Sequence, residues 1–543
     1  MLEWLSLLCP AGPTCLFRRN WATRIWIALL FAMHVAPASA DALSEAFVDD
    51  PTFNSGYLID DRFATSYLYN DFYARKIARL SNGDVVAVGL VPAAYQVDQG
   101  NGLFNVGLVR YGANGERVPW PAPTPAYISF YDRYIQYPNS YSYYDRIADV
   151  RVVNGFIYVL ADYLLTPLDR YPHLIVFGEG GNFIGLYSAG TIKYESGVGM
   201  VSFVSGGVRK LFSVNQATAI VSEQDGGVTR LDRYLRLNRF DIAADGSISD
   251  DAAFGSGGVM SLSDPGCTVS TGYCDISAAA ISLVGSGNAI LGPYLVYAIG
   301  DTHCSAPSGT FCAGDFPLQI LRLSPQTGAL LSRSTVFLND PASGNAGLDS
   351  RARDIVATRS ALVGGGFSDA AYALASATGH CIDENNVYAD YRRGAALLRI
   401  DGNGDADGSF AGSGVLLFGG PSGPSCPPSG TPTAEPKALA LGAYSRLAVV
   451  GSTSDKANSP THSDGFLAVV RVDREDVADE AVHPALMFGG QPWGSFAGFE
   501  DVIAYDGGTF SATGPVTTGY NAYQFGTTRF ISDRIFADDF SSP

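Results

Sequence analysis

The chain has 543 residues, 47% of them hydrophobic and 16% charged, with a formal net charge of -18. That apolar fraction excludes a disordered chain, and the acidic balance makes nucleic acid and anionic membranes poor partners. Sixty-two Gly and 29 Pro interrupt the chain too often for long helices and favour many short strands.

The first stretch reads as an export signal. Arg18, Arg19 and Arg24 form a basic region, Ile25 to Val35 is an apolar run too short to span a bilayer, and Ala38-Ser39-Ala40 is a small-residue cleavage site. The mature protein is therefore expected to begin near Asp41, as one domain over 41–543 with no stable membrane insertion. Loss of three Arg and one Glu takes the formal charge from -18 to about -20. Eight cysteines become six. In an exported chain these point to disulfides, and the pairing preferred among about fifteen is Cys267 with Cys274, Cys304 with Cys312, and Cys381 with Cys426. His303 and His380 each precede a cysteine, but no C-x-x-C spacing supports zinc.

From residue 62 onward a two-part unit recurs seven times, near 62–130, 131–190, 191–262, 263–345, 346–420, 421–490 and 491–540. Its first part is a pair of apolar runs about a turn. "RKIARLSNGDVVAVGL" (75–90) is the clearest, because Asn82-Gly83 suits a type I′ β-hairpin turn. The second part is an apolar strand that often ends in Arg plus an apolar residue, with Arg239, Arg322, Arg399, Arg471 and Arg529 as markers. A guanidinium that repeats with the fold is expected to pair with a nearby acid, such as the Asp of "RFD" or "RID", or to cap strand carbonyls. Each unit offers three or four strands, too few to bury both faces of a sheet, so neighbours must stack. The expected fold is all-β: a propeller of seven blades, with a solenoid as its structural rival.

Two stretches stand out as ligand candidates. "YISFYDRYIQYPNSYSYYDR" (127–146) clusters Tyr127, Tyr131, Tyr134, Tyr141, Tyr143 and Tyr144, whose rigid amphipathic rings suit sugar stacking or a protein surface. "DGNGDADG" places Asp401, Asn403, Asp405 and Asp407 at alternate positions, like the first half of a calcium loop. No acid stands where that loop needs its closing Glu, and an Asx-rich hairpin turn explains the same residues. Calcium is the only cofactor the pattern suggests, and none is required. There is no G-x-S-x-G elbow and no H-E-x-x-H motif, so no catalytic residue is assigned.

"RFDIAADGSISDDAAFGSGGV" (239–259) and "RIDGNGDADGSFAGSGV" (399–415) resemble the delta-60 repeat of exported bacterial proteins, which implies a propeller-like fold and an exported setting but no catalytic residue. "DRIFADDF" (533–540) is similar to the D-x-I-F-x-D-G-F-E tails of exported Gram-negative proteins, with Asp539 in place of the Gly. A monomeric binding or scaffold module is expected, in the periplasm, on the outer surface or secreted, with a protein or glycan partner. The alternatives are a glycan-active hydrolase or lyase at the channel mouth, and a calcium-stabilised structural repeat protein.

The phrase "DDPTFNSGYL" (49–58) echoes "DDAAFGSGGV" (250–259), yet after Arg529 the chain lacks it. The strand near Phe53 to Leu58 is therefore expected to pair beside 524–531 and close the ring.

Overall fold

The computed structural model describes residues 47–49, 57–60, 73–92, 104–120, 127–129, 143–166, 169–190, 194–222, 229–263, 276–285, 294–301, 317–339, 347–361, 367–382, 388–418, 433–443, 445–454, 463–472, 475–483, 486–488, 491–496, 498–505, 508–518 and 522–532. The proposed export signal, Cys267, Cys274, Cys304, Cys312, Cys426 and the 533–540 tail lie outside them. These residues belong to one compact unit that begins at Ala46.

Seven antiparallel sheets form a ring, a seven-bladed β-propeller. Blade 1 runs outward through Tyr73–Arg79, Val85–Pro92, Phe104–Tyr111 and Tyr127–Ser129. The inner strands of blades 2 to 6 are Tyr143–Val153, Glu195–Ser205, Ala280–Gly285, Gly347–Ala361 and Thr433–Leu441. That of blade 7 is Asp501–Ala504, and it packs beside Tyr73–Arg79 of blade 1. The Asn82-Gly83 hairpin forms as its dipeptide requires: Gly83 has φ 93°, a left-handed conformation that a side chain would strain.

Alternation explains why the apolar runs are continuous. In Val85–Pro92, Val86, Val88 and Leu90 pack toward blade 2, while Val85, Ala87 and Val91 pack toward blade 7. Both faces of a blade are buried, so both phases of the strand are apolar. The buried hydrophobic side chains among the described residues fall into seven clusters, each shared by two adjacent blades.

The ring closes through the N-terminal segment. Phe47–Asp49 and Tyr57–Asp60 both pair with Ala522–Ser532, the third strand of blade 7. The same construction occurs within blade 3, where Ile248–Asp250 and Val259–Leu262 pair with Thr229–Ile242. The register agrees at the first short strand, where Phe240 faces Asp250 as Phe530 faces Asp49, and is offset by one residue at the second, where Val259 faces Asn238 but its counterpart Leu58 faces Thr527. In blade 3 the echoing phrase joins two short outer strands, and in blade 7 the two outer strands that flank it come from the N-terminal segment. Phe53 itself lies outside the described residues.

Candidate functional site

The seven inner strands surround a cavity of about 650 Å³ on the ring axis. Its lining follows from one irregularity repeated around the ring. The inner strands of blades 1, 2, 3, 5 and 6 each carry a β-bulge, with Arg75, Ala148, Val198, Arg353 and Lys437 as the unpaired residues. Ala279 and Glu500 directly precede the inner strands of blades 4 and 7 and also line the cavity. A bulge re-aims the side chains beside it, and here the bulge residue reaches the cavity in all five blades and the one after it in blades 1, 2, 3 and 5.

Asp149 and Asp354, just after the bulges of blades 2 and 5, and Asp501, the first residue of the inner strand of blade 7, form a second layer. Asp149 accepts hydrogen bonds from Val150 N at 2.8 Å and, across the blade boundary, from Met200 N at 2.7 Å. Asp354 repeats the pattern with Ile355 N at 2.8 Å and Leu439 N at 2.9 Å of blade 6. Asp501 accepts from Ile77 N of blade 1 at 2.9 Å, with Lys76 Nζ 3.7 Å from its other oxygen. Each carboxylate therefore straps its blade to the next, and a backbone N–H held by a charged acceptor makes a stronger bond than a neutral pair. Burial drives Asp354 up to about 6, against the pull of Lys76 and the Leu439 amide. Burial also raises Asp501. For Lys76, burial disfavours the ammonium, but Asp501, Asp354 and Asp149 outweigh it and hold the group above the usual lysine range.

Around the mouth, Arg75 pairs with Glu500 at 3.0 Å. Glu435 bridges Arg353 Nη2 at 2.9 Å and Lys437 Nζ at 3.1 Å. Arg151 Nε reaches both Asp149, at 3.1 Å, and Met200 O, at 2.9 Å.

Sequence-predicted site residues are distributed otherwise. Tyr144 is buried at 1% exposure, stands 5.3 Å from the Tyr163 ring, and its hydroxyl lies 3.2 Å from His173 Nδ1. Burial raises the Tyr144 phenol and lowers His173 to about 4, so that the imidazole is neutral at pH 7. Tyr127 and Tyr143 lie on strands Tyr127–Ser129 and Tyr143–Val153, while Tyr131, Tyr134 and Tyr141 lie outside the described residues. Cys381 lies on strand Phe367–Ile382.

In "DGNGDADG", Asp401 Oδ1 accepts from Asn403 N at 2.8 Å and Asp405 N at 3.0 Å. Asp407 accepts from Ser409 N at 3.0 Å and from Arg399 Nε at 2.8 Å. Hydrogen bonds from Ser409, and then the Arg399 guanidinium, hold the Asp407 carboxyl below the usual range. Among the described residues, no three His, Cys, Asp or Glu side chains gather to hold a metal ion.

Two marker residues, Arg239 and Arg399, pair with acids, but not with those immediately following, and Arg529 donates to Ala113 O. Arg239 binds Asp251 at 2.7 Å and lies 4.6 Å over the Phe254 ring; Arg399 binds Asp407 and lies 5.3 Å over Phe410. The repeating phrase is therefore a clamp in which its Asp holds the guanidinium and its Phe lies beneath. Asp241, the acid of "RFD", is bonded to Lys210 instead. Arg239 also donates to Pro325 O of blade 4 at 3.2 Å, so the clamp tethers the next blade.

No family model matches the chain, and no curated protein matches it. Solved structures align with the chain at low similarity. A Dyadobacter fermentans protein of unknown function is 10% identical at a TM-score of 0.39, over 90% of this chain and 100% of that one. The Trypanosoma rangeli sialidase is 10% identical at 0.35, over 89% of this chain and 59% of that one. A Synechocystis apocarotenoid oxygenase is 12% identical at 0.31, over 64% and 62%. At such values the likeness extends to the fold alone.

Proposed function

We propose that the chain is an exported binding module that holds a small ligand in its axial cavity. The observation that carries this reading is the composition of the cavity wall. About 650 Å³ is a ligand-sized volume, and its wall sets charged groups beside apolar ones. Two of the second-layer carboxylates argue against proton-transfer chemistry there, because Asp149 and Asp354 each spend both oxygens on backbone N–H groups. A general acid or base needs a proton path to the substrate, not a full set of structural bonds. Export rests on the basic and apolar segments before Asp41.

The test is a screen of small metabolites and glycans against purified residues 41–543, read by thermal shift and repeated on Ala279→Trp, which fills the cavity wall. A ligand that stabilises the parent chain by several degrees and loses its effect in Ala279→Trp is the expected result. Substrate turnover without stable binding would overturn the reading.

A further inference from the structure

The bulge layer is divided by charge around the ring. Blades 2, 3 and 4 contribute Ala148, Val198 and Ala279, a contiguous apolar arc that Ile281 extends. Blades 5, 6 and 1 contribute Arg353, Lys437 and Arg75, with Glu500 of blade 7 between the last two. Because the blades follow one another in sequence order around the ring, the two arcs face each other across the axis. The bulge positions of blades 5, 6, 7 and 1 therefore carry three cations and one carboxylate, with Glu435 paired to Arg353 and Lys437, and Asp145 and Arg146 of blade 2 also line the cavity.

All three cationic side chains keep access to water, at 34% exposure for Arg75, 23% for Arg353 and 27% for Lys437. They are also held in place. Arg353 is fixed by Glu435 and by Ser376 Oγ at 3.2 Å, and Lys437 by the same Glu435. Positioned donors lose little freedom when a second acceptor arrives. The layer beneath has the opposite balance, with Lys76 and Arg151 among Asp149, Asp354 and Asp501, so an anion gains most at the bulge layer and is opposed deeper in.

Resting on the axial-cavity reading above, we propose that the ligand is an organic carboxylate with an apolar body: its carboxylate lies against Arg353 and Lys437, and its body against Ala148, Val198 and Ala279. Guanidinium groups match carboxylates in two-pronged geometry, and the facing arc supplies the burial that a small inorganic anion cannot use.

Isothermal titration calorimetry of residues 41–543 with acetate, hexanoate, hexanol and hexylamine tests this. Hexanoate should bind about 10-fold or more tightly than acetate, while hexanol and hexylamine should not bind measurably. Arg353→Gln and Lys437→Gln, each checked for an unchanged melting temperature, should weaken hexanoate about 10-fold or more. Ala279→Asp should weaken it similarly without touching the cations. Equal affinity for acetate and hexanoate overturns the proposal, as does hexanoate binding that ignores all three substitutions. If none of these acids binds, yet another screened compound depends on Ala279, the carboxylate assignment fails and the axial-cavity reading stands. If no compound of any class depends on Ala279, both fail.

Discussion

At the scale of single residues, the molecule spends buried charge on joining its blades. Asp162 of blade 2 is fully buried and accepts from Gly197 N of blade 3 at 2.7 Å, with Arg146 3.8 Å from its other oxygen. Burial raises this carboxyl to about 6, more than the Arg146 charge and the Gly197 amide can offset. A folded-state value above the unfolded one means that the folded chain holds its proton more tightly. Asp162 therefore weakens stability progressively as pH rises from about 4 to 6, and the full cost is present above that window. Asn at this position keeps an acceptor for Gly197 and carries no charge. Asp162→Asn is expected to raise unfolding stability by about 1–3 kcal/mol at pH 7.5 and to change it little at pH 4. Urea denaturation at both values measures this, and equal effects at the two would refute the linkage. Asp354, also raised to about 6, titrates in the same window.

At the scale of strands and turns, much was legible in the sequence because local chemistry decides it. Asn82-Gly83 announces its hairpin, continuous apolar runs announce strands buried on both faces, and the echo at residues 49–58 announces ring closure. The cavity wall was not legible, because its charges come from different units: Ile77 and Asp501 are 424 positions apart. A signal did exist. "RKIA" (75–78), "ADVR" (148–151), "RDIV" (353–356) and "EDVI" (500–503) each place a charged residue before a β-branched one at the same point of the inner strand. Sequence proximity points the marker Arg residues to a neighbouring acid or to backbone carbonyls; Arg239 and Arg399 reach the acid beyond the following turn, and Arg239 and Arg529 also donate to carbonyls. The closure carries its own expectation. Deleting residues 41–60 removes two strands from blade 7 and should lower the melting temperature by about 10 °C or more, measured by circular dichroism. An unchanged value would mean that those pairings contribute nothing.

At the scale of the whole molecule, no blade owns a core. Every hydrophobic cluster is divided between neighbours, and carboxylate straps join blades 2 and 3, 5 and 6, and 7 and 1. Losing one blade would expose a face of each of its neighbours, so partial unfolding costs nearly as much as complete unfolding. The ring should therefore melt as one unit despite its size, with calorimetric and van't Hoff enthalpies in agreement. Two resolved transitions would show that some blades stand alone.

The shared outer sheet of blade 7 also sets the order of events during synthesis. Residues 47–60 are made more than 450 positions ahead of their pairing partners at 522–532. Until then the early strands have no edge to join, and the last blade has none to accept. Closing so long a loop is entropically slow. A ribosome that stopped short of residue 522 would release a product with two open sheet edges, which invites aggregation. The latch thus doubles as a completeness check on the newly made chain.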